Sequence, residues 1–90
     1  MWHRLVPIRP SQTPEDAAAR WAEVRAQVGS RVRTLRTAAG LTQEALALES
    51  GLSRNQLIEL EHGRRGLLFE RLPDLAAVLD CEVADFFRDG

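Results

Sequence analysis

Lysine is absent from this 90-residue sequence, every one of its 12 basic side chains is arginine, and there is a single cysteine. With alanine abundant, the arginine bias suggests a GC-rich coding genome rather than a physical requirement. Cys81 has no partner for an intramolecular disulfide, and no apolar stretch is long enough for a membrane span or the apolar core of a signal peptide, so the default compartment is a reducing cytoplasm. Histidine occurs only at positions 3 and 62. Neither His3 nor His62 stands in a spacing that favours a cysteine–histidine or serine–histidine–acid arrangement, and two histidines and a cysteine scattered along the chain make no metal site. The sequence therefore predicts no enzyme, no cofactor, no metal and no evident small-molecule site.

What is present is enough for one domain. At 44% hydrophobic residues the chain can fill one small core plus a short arm. A core of this size leaves few residues over to wall a deep catalytic pocket. The formal net charge of -1 is unevenly spread. Between Val24 and Gly66 there are seven arginines against four acids, and from Leu67 onward six acids against two arginines. One basic face and an acidic back fit this distribution, as do two ordinary solvated surfaces.

Residues 1–12 carry Pro7 and Pro10, and their apolar Trp2, Leu5, Val6 and Ile8 follow neither helical nor strand spacing, which predicts an extended arm. At Thr13-Pro14-Glu15-Asp16 a cap, a first-turn proline and first-turn acids coincide and start a helix. Ala18, Trp21, Val24, Val28, Val32 and Leu35 then recur at steps of three and four until Gly40, which predicts one long helix over roughly 14–39 with a possible kink or break at Gly29-Ser30. Thr42 caps a short second helix that ends at Gly51. Ser53 caps a third, with Gln56 three residues on as in a capping box and Leu57 and Leu60 facing inward before Gly63. Beyond the basic loop His62–Gly66, a fourth amphipathic segment carries Phe69, Leu72, Leu75, Ala76 and Leu79, with Pro73 tolerable only in its first turn. Val83, Phe86 and Phe87 predict a short closing helix that lays two aromatics on the core. No strand pattern and no repeat is visible.

Two short helices joined by a tight turn containing glycine form a helix-turn-helix pattern, and each of its positions has a steric cause. Ala47 is small where the two helices cross, Gly51 takes the turn, and Leu46, Leu52, Leu57 and Leu60 bury the inner face. Gly40-Leu41-Thr42-Gln43-Glu44, Leu57-Ile58-Glu59-Leu60-Glu61-His62-Gly63 and the tail from Leu75-Ala76-Ala77-Val78-Leu79 to Asp85-Phe86-Phe87 together resemble the Cro/repressor (Xre-like) helix-turn-helix proteins, including the lambdoid phage repressors. The resemblance runs from Val28 to Phe87, about two thirds of the chain. It implies an all-α, five-helix, lambda-repressor-like domain over residues 28–88, preceded by an arm (1–13) and a helical extension of the first helix (14–27).

The same resemblance implies a bacterial transcription regulator or repressor that binds double-stranded DNA, with helix 53–62 in the major groove. Ser53, Arg54, Asn55 and Gln56 would meet base edges, Arg forking onto guanine and Asn or Gln onto adenine. Ile58 would meet a thymine methyl and Glu59 a cytosine amine. Glu59 stands where a basic or amide residue is common and also repels phosphates. Thr42 and Gln43 would hold a phosphate at the start of helix two, and His62, Arg64 and Arg65 would grip the backbone from the loop. For each set the plainer role remains open: capping for Thr42, Gln43 and Ser53, solvation for the rest. Arg36 and Glu61 match a family ion pair, which would also orient Arg36 toward a phosphate. Cys81 fits a buried small hydrophobe, and Trp21 fits core or interface. Partners then follow: DNA, and a second copy of the chain held through the arm and the Trp21 helix, reading a palindromic site. The rival class is a protein-interaction module such as an antitoxin, adaptor or anti-repressor. An effector domain beyond Gly90 would also be compatible.

Overall fold

Four α-helices and two 3-10 turns make up residues 13–88, the part of the chain that the computed structural model describes. The arm expected before the first helix lies outside those residues but for Thr13. Helix α1 (Pro14–Ala38) begins at a reciprocal capping box: the Asp16 N–H donates to Thr13 Oγ1 at 3.1 Å and the Thr13 N–H donates to Asp16 Oδ2 at 3.2 Å. It ends just ahead of Gly40, whose φ of +74° turns the chain.

Helix α1 runs unbroken through Gly29-Ser30, where the sequence allowed a kink or break. Gly29 is buried against α3, and a Cβ there would overlap the Leu60 carbonyl oxygen, so the glycine serves the close approach of two helices. The single apolar face expected along α1 is buried only from Val28 onward. Trp21 is 61% exposed, and Val24, at the rim of a cavity lined also by Leu60, Leu67, Leu72 and Phe87, is 50% exposed.

Helices α2 (Gln43–Ser50) and α3 (Arg54–Glu61) start at Thr42 and Ser53, as their capping residues predict. Between them Gly51 adopts φ +80°, a conformation that suits glycine, and the N–H of Leu52 donates to the Ala47 carbonyl at 3.0 Å. Arg71 closes this turn from outside the motif, its Nη2 donating to the Gly51 carbonyl at 3.1 Å and its Nε to Asp74 at 2.9 Å. A cation at the carbonyl end of a helix satisfies orphan acceptors and the helix dipole together. No spacing in the sequence points to this role for Arg71.

Leu46, Leu57, Leu60 and Leu75 are almost wholly buried with Val32 and Phe86, and Ala47 lies small beside them. Each such leucine contributes roughly 2 kcal/mol by removal from water. Helix α4 (Leu72–Leu79) places Pro73 in its first turn, as expected, and follows a 3-10 turn (Phe69–Arg71) that leaves Phe69 81% exposed rather than on the apolar face.

The closing segment (Val83–Phe87) is a 3-10 turn, so the described residues hold four α-helices and not the five expected. Five residues give an α-helix too few i to i−4 bonds to repay its nucleation, and the tighter winding takes over. Adjacent residues cannot share one face of such a turn: Phe86 is fully buried, while Phe87 stays half exposed. Arg31 Nε, donating to the Asp85 carbonyl at 2.9 Å, ties this segment to α1. Among the described residues there is no strand, and no helix is long and apolar enough to cross a membrane.

Candidate nucleic-acid interface

Helix α3 buries Leu57, Leu60 and Glu61, and its 3.6-residue period therefore turns Arg54, Asn55, Ile58, Glu59 and His62 outward. Arg54 and Asn55 are exposed at its amino end, and among the described residues no hydrogen bond engages either side chain. Ser53 and Gln56 are engaged with each other. The Gln56 N–H donates to Ser53 Oγ at 3.0 Å, and the Ser53 N–H donates to Gln56 Oε1 at 2.9 Å. Gln56 keeps its amide NH₂ for a further partner but has spent its carbonyl oxygen on the cap.

Glu61 organises the other side of the motif. Its side chain is 1% exposed and receives Arg36 Nε at 2.6 Å, Arg36 Nη2 at 3.0 Å and Gln43 Nε2 at 3.0 Å. Arg36 Nη1 also donates to the Leu41 carbonyl at 2.9 Å, so all three guanidinium nitrogens are engaged and the side chain is 13% exposed. The ion pair expected from sequence is thus present, and it carries Gln43 as a third member that spacing did not reveal. Thr42 Oγ1 accepts the Ala45 N–H at 3.0 Å, which leaves the N–H groups of Gln43 and Glu44 as the open donors at the start of α2.

The loop after α3 leaves through a left-handed Gly63 (φ +72°), with the Gly63 N–H on the Leu60 carbonyl and the Arg64 N–H on the Glu59 carbonyl, both at 3.0 Å. This Schellman closure turns Arg64 back over the helix. Arg64 then grips Glu59 with Nε 3.1 Å from each carboxylate oxygen and Nη2 2.8 Å from Oε2. The hydrogen bond from Arg64 holds the Glu59 carboxyl below its ordinary value of 4.5, and the charges of Arg64, Arg65 and His62 act in the same direction. His62 is exposed, its Nδ1–H donating to the Ile58 carbonyl at 2.9 Å in the tautomer that this bond selects, while Arg65 is exposed beside it. Ile58, the apolar residue expected on this surface, is joined there by Leu48 of α2. Leu48 is 83% exposed and lines a shallow groove with Glu44, Ala45, Leu52 and Arg54. It lies two residues on from buried Leu46, roughly 200° around α2, so its exposure was legible in the helical period.

Two capped helices crossing at Ala47, a left-handed glycine between them and an outward-facing polar second helix define a helix-turn-helix domain. Residues 32–86 match the family model described as Helix-turn-helix, HTH_3, and the chain belongs to that family. It is a family of DNA-binding transcriptional regulators and not of enzymes. The chain is 41% identical over 76 residues to an uncharacterized transcriptional regulator in the ATPase CF(0) region of Rhodospirillum rubrum, a match covering 84% of this chain and 70% of that protein. It is similar in structure to the restriction-modification controller protein C.AhdI from Aeromonas hydrophila, with a TM-score of 0.68 and 41% identity over 70% of this chain and 96% of that one. The clp gene regulator ClgR from Corynebacterium glutamicum also resembles it, with a TM-score of 0.68 and 34% identity over 71% of this chain and 68% of that one.

Proposed function

We propose that this protein is a cytoplasmic transcription regulator that reads double-stranded DNA with α3 in the major groove. The observation that carries the reading is the outward, unengaged pair Arg54 and Asn55 at the capped amino end of α3. Arg54 forks onto a guanine edge and Asn55 onto an adenine, with Ile58 and Glu59 one turn further along and the Gln56 NH₂ and Ser53 beside them. The open N–H groups at the start of α2, with Thr42 and Gln43, hold one phosphate, and His62 and Arg65 hold another. Arg36, enclosed by Glu61 and Leu41, supports the phosphate-facing turn from behind. Arg64 is committed to Glu59.

The protein acts as a dimer on a palindromic site, held through the arm (1–13) and the helical extension (14–27) ahead of the 28–88 domain. Supporting this are Trp21 and Val24, exposed one turn apart on α1 and continuous with a cavity of about 140 Å³ lined by Val24, Val28, Leu60, Leu67, Leu72 and Phe87. Two copies of α3 about 34 Å apart would enter successive major grooves.

Selection from a randomised duplex pool at stated low salt tests the reading, with an Arg54→Ala, Asn55→Ala variant beside the wild type. An enriched palindrome that the variant loses supports it. No enrichment by folded wild-type protein instead favours the second reading, a protein-interaction module, for which the exposed Leu48 next to Arg54 speaks.

A further inference from the structure

An acid on a surface that faces DNA is repelled by every phosphate near it, so Glu59 needs a reason to be there. Resting on the reading that α3 enters the major groove, we propose that Arg64 is a positioning residue for base selection. Its fork on Glu59 fixes the carboxylate on the outer face of α3 to accept the exocyclic amine of a cytosine, and it is not one of the phosphate clamps.

The geometry supports this in three ways. First, both partners are fixed before DNA arrives. Arg64 leaves the Schellman closure at Gly63 with its own N–H on the Glu59 carbonyl, and its guanidinium meets both carboxylate oxygens of the same residue. A planar fork against a carboxylate sets orientation as well as charge, which a lysine in the same place would not do. Second, the pair is not closed off. The Glu59 side chain remains 24% exposed, and an ionised carboxylate has about four lone-pair sites, against which Arg64 sets two N–H groups, the Nε–H shared between both oxygens and one from Nη2 on Oε2.

Third, a carboxylate held ionised accepts and cannot donate, so its complement in the major groove is a base edge that donates. Cytosine offers its N4 amine with an acceptor on one side only, the O6 of the paired guanine, and with none on its own outer edge. Adenine places N7 next to its amine, and guanine presents only N7 and O6, both of which repel the carboxylate. The arrangement thus rejects guanine as actively as it selects cytosine.

The test is the base preference and salt dependence of wild-type protein, Arg64→Ala, Arg64→Lys and Glu59→Gln on selected duplexes. The expected result is a cytosine preference at one base pair of each half-site that falls at least about fivefold in all three variants, other positions keeping their preferences. The salt slope of Arg64→Ala should stay near that of wild type. Arg64→Lys separates charge from geometry, since it keeps the cation and loses the fork. A uniform loss of affinity in Arg64→Ala with a salt slope reduced by about one would make Arg64 a phosphate clamp and overturn the inference while leaving DNA reading intact. An unchanged cytosine preference in Arg64→Lys would also overturn it. If wild-type protein selects no sequence at all, the underlying reading fails together with it.

Discussion

Gly29 of α1 and Leu60 of α3 meet backbone to backbone: a Cβ on Gly29 would overlap the Leu60 carbonyl oxygen and stand 3.0 Å from that of Glu61. The crossing of these two helices therefore depends on a missing side chain, and it fixes where α3 lies on the scaffold.

A sign reversal follows for Gly29→Ala. In an ordinary helix interior this change adds roughly 1 kcal/mol of helix propensity. Here the obstacle is backbone, which yields poorly, and the expected outcome is a net loss of about 2 kcal/mol. Thermal melting should show a Tm lower by about 10 °C. Ser30→Ala, one residue on and exposed, should melt at or slightly above the wild-type temperature. A Gly29→Ala protein as stable as that control would mean that the helices separate freely.

The buried carboxylate of Glu61 gives a second prediction. Removing it in Glu61→Ala leaves Arg36, 13% exposed, with an unpaired charge and detaches Gln43 as well. Breaking a buried pair from one side costs about 3 kcal/mol or more, a large share of a small domain's stability. In urea unfolding Glu61→Ala should lose that much, and Arg36→Met combined with Glu61→Leu should recover most of it. Melting of Glu61→Ala like wild type would sink the structural role of the pair.

These two sites show which parts of the fold were legible in sequence. Capping residues write themselves into short local patterns, so Thr13, Thr42 and Ser53 located the helix starts, and the Arg36–Glu61 pair followed from a family resemblance. Burial is not local. Trp21 and Val24 obey the helical period as well as Val28 does, yet Trp21 is mostly exposed and Val24 only half covered, at the rim of the cavity beside Leu67 and Phe87. The same holds for Phe69 and Phe87, whose exposure depends on 3-10 winding that patterns of three and five residues do not announce. Gly29 looked like a helix breaker because its reason lies across the interface in α3. At the candidate site, Glu59 and Arg64 were legible singly and their pairing was not, since it depends on the left-handed turn at Gly63.

Cys81 is half-buried against the core, as a small hydrophobe would be. Burial pushes its thiol above the ordinary value of 9.0, and Asp85 pushes it further. The native thiol should thus alkylate far more slowly at neutral pH than the same thiol in urea. The sign of the linkage is also fixed: the folded value exceeds the unfolded one, so stability is unaffected below 9.0 and declines as pH rises through the folded value. The stability of wild type relative to Cys81→Ala should be constant up to about pH 8 and fall above pH 9. Rapid alkylation of the native protein would place the thiol in a different environment.

Trp21 carries the last prediction. An indole 61% exposed, with Val24 three residues on and half exposed, leaves an apolar stripe on the part of α1 that its own domain covers only at the Val24 end. If a second copy covers it, replacing the pair with Trp21→Ser and Val24→Ser removes two side chains, each of which contributes roughly 2 kcal/mol when fully buried, enough to raise a dimer dissociation constant by at least tenfold. Neither residue is part of the buried core, although Val24 lines the cavity beside Leu60 and Leu72, so the circular dichroism spectrum should be kept and Trp21→Ser alone should melt like wild type. Sedimentation equilibrium at micromolar concentration should show twice the 10.1 kDa chain mass for wild type and the chain mass for the double variant. Operator binding should fall in parallel, because halves of a palindrome bound independently lose the gain of linkage. Wild-type protein that sediments as a single chain throughout that range would rule out the dimer and leave α3 to read DNA from a monomer.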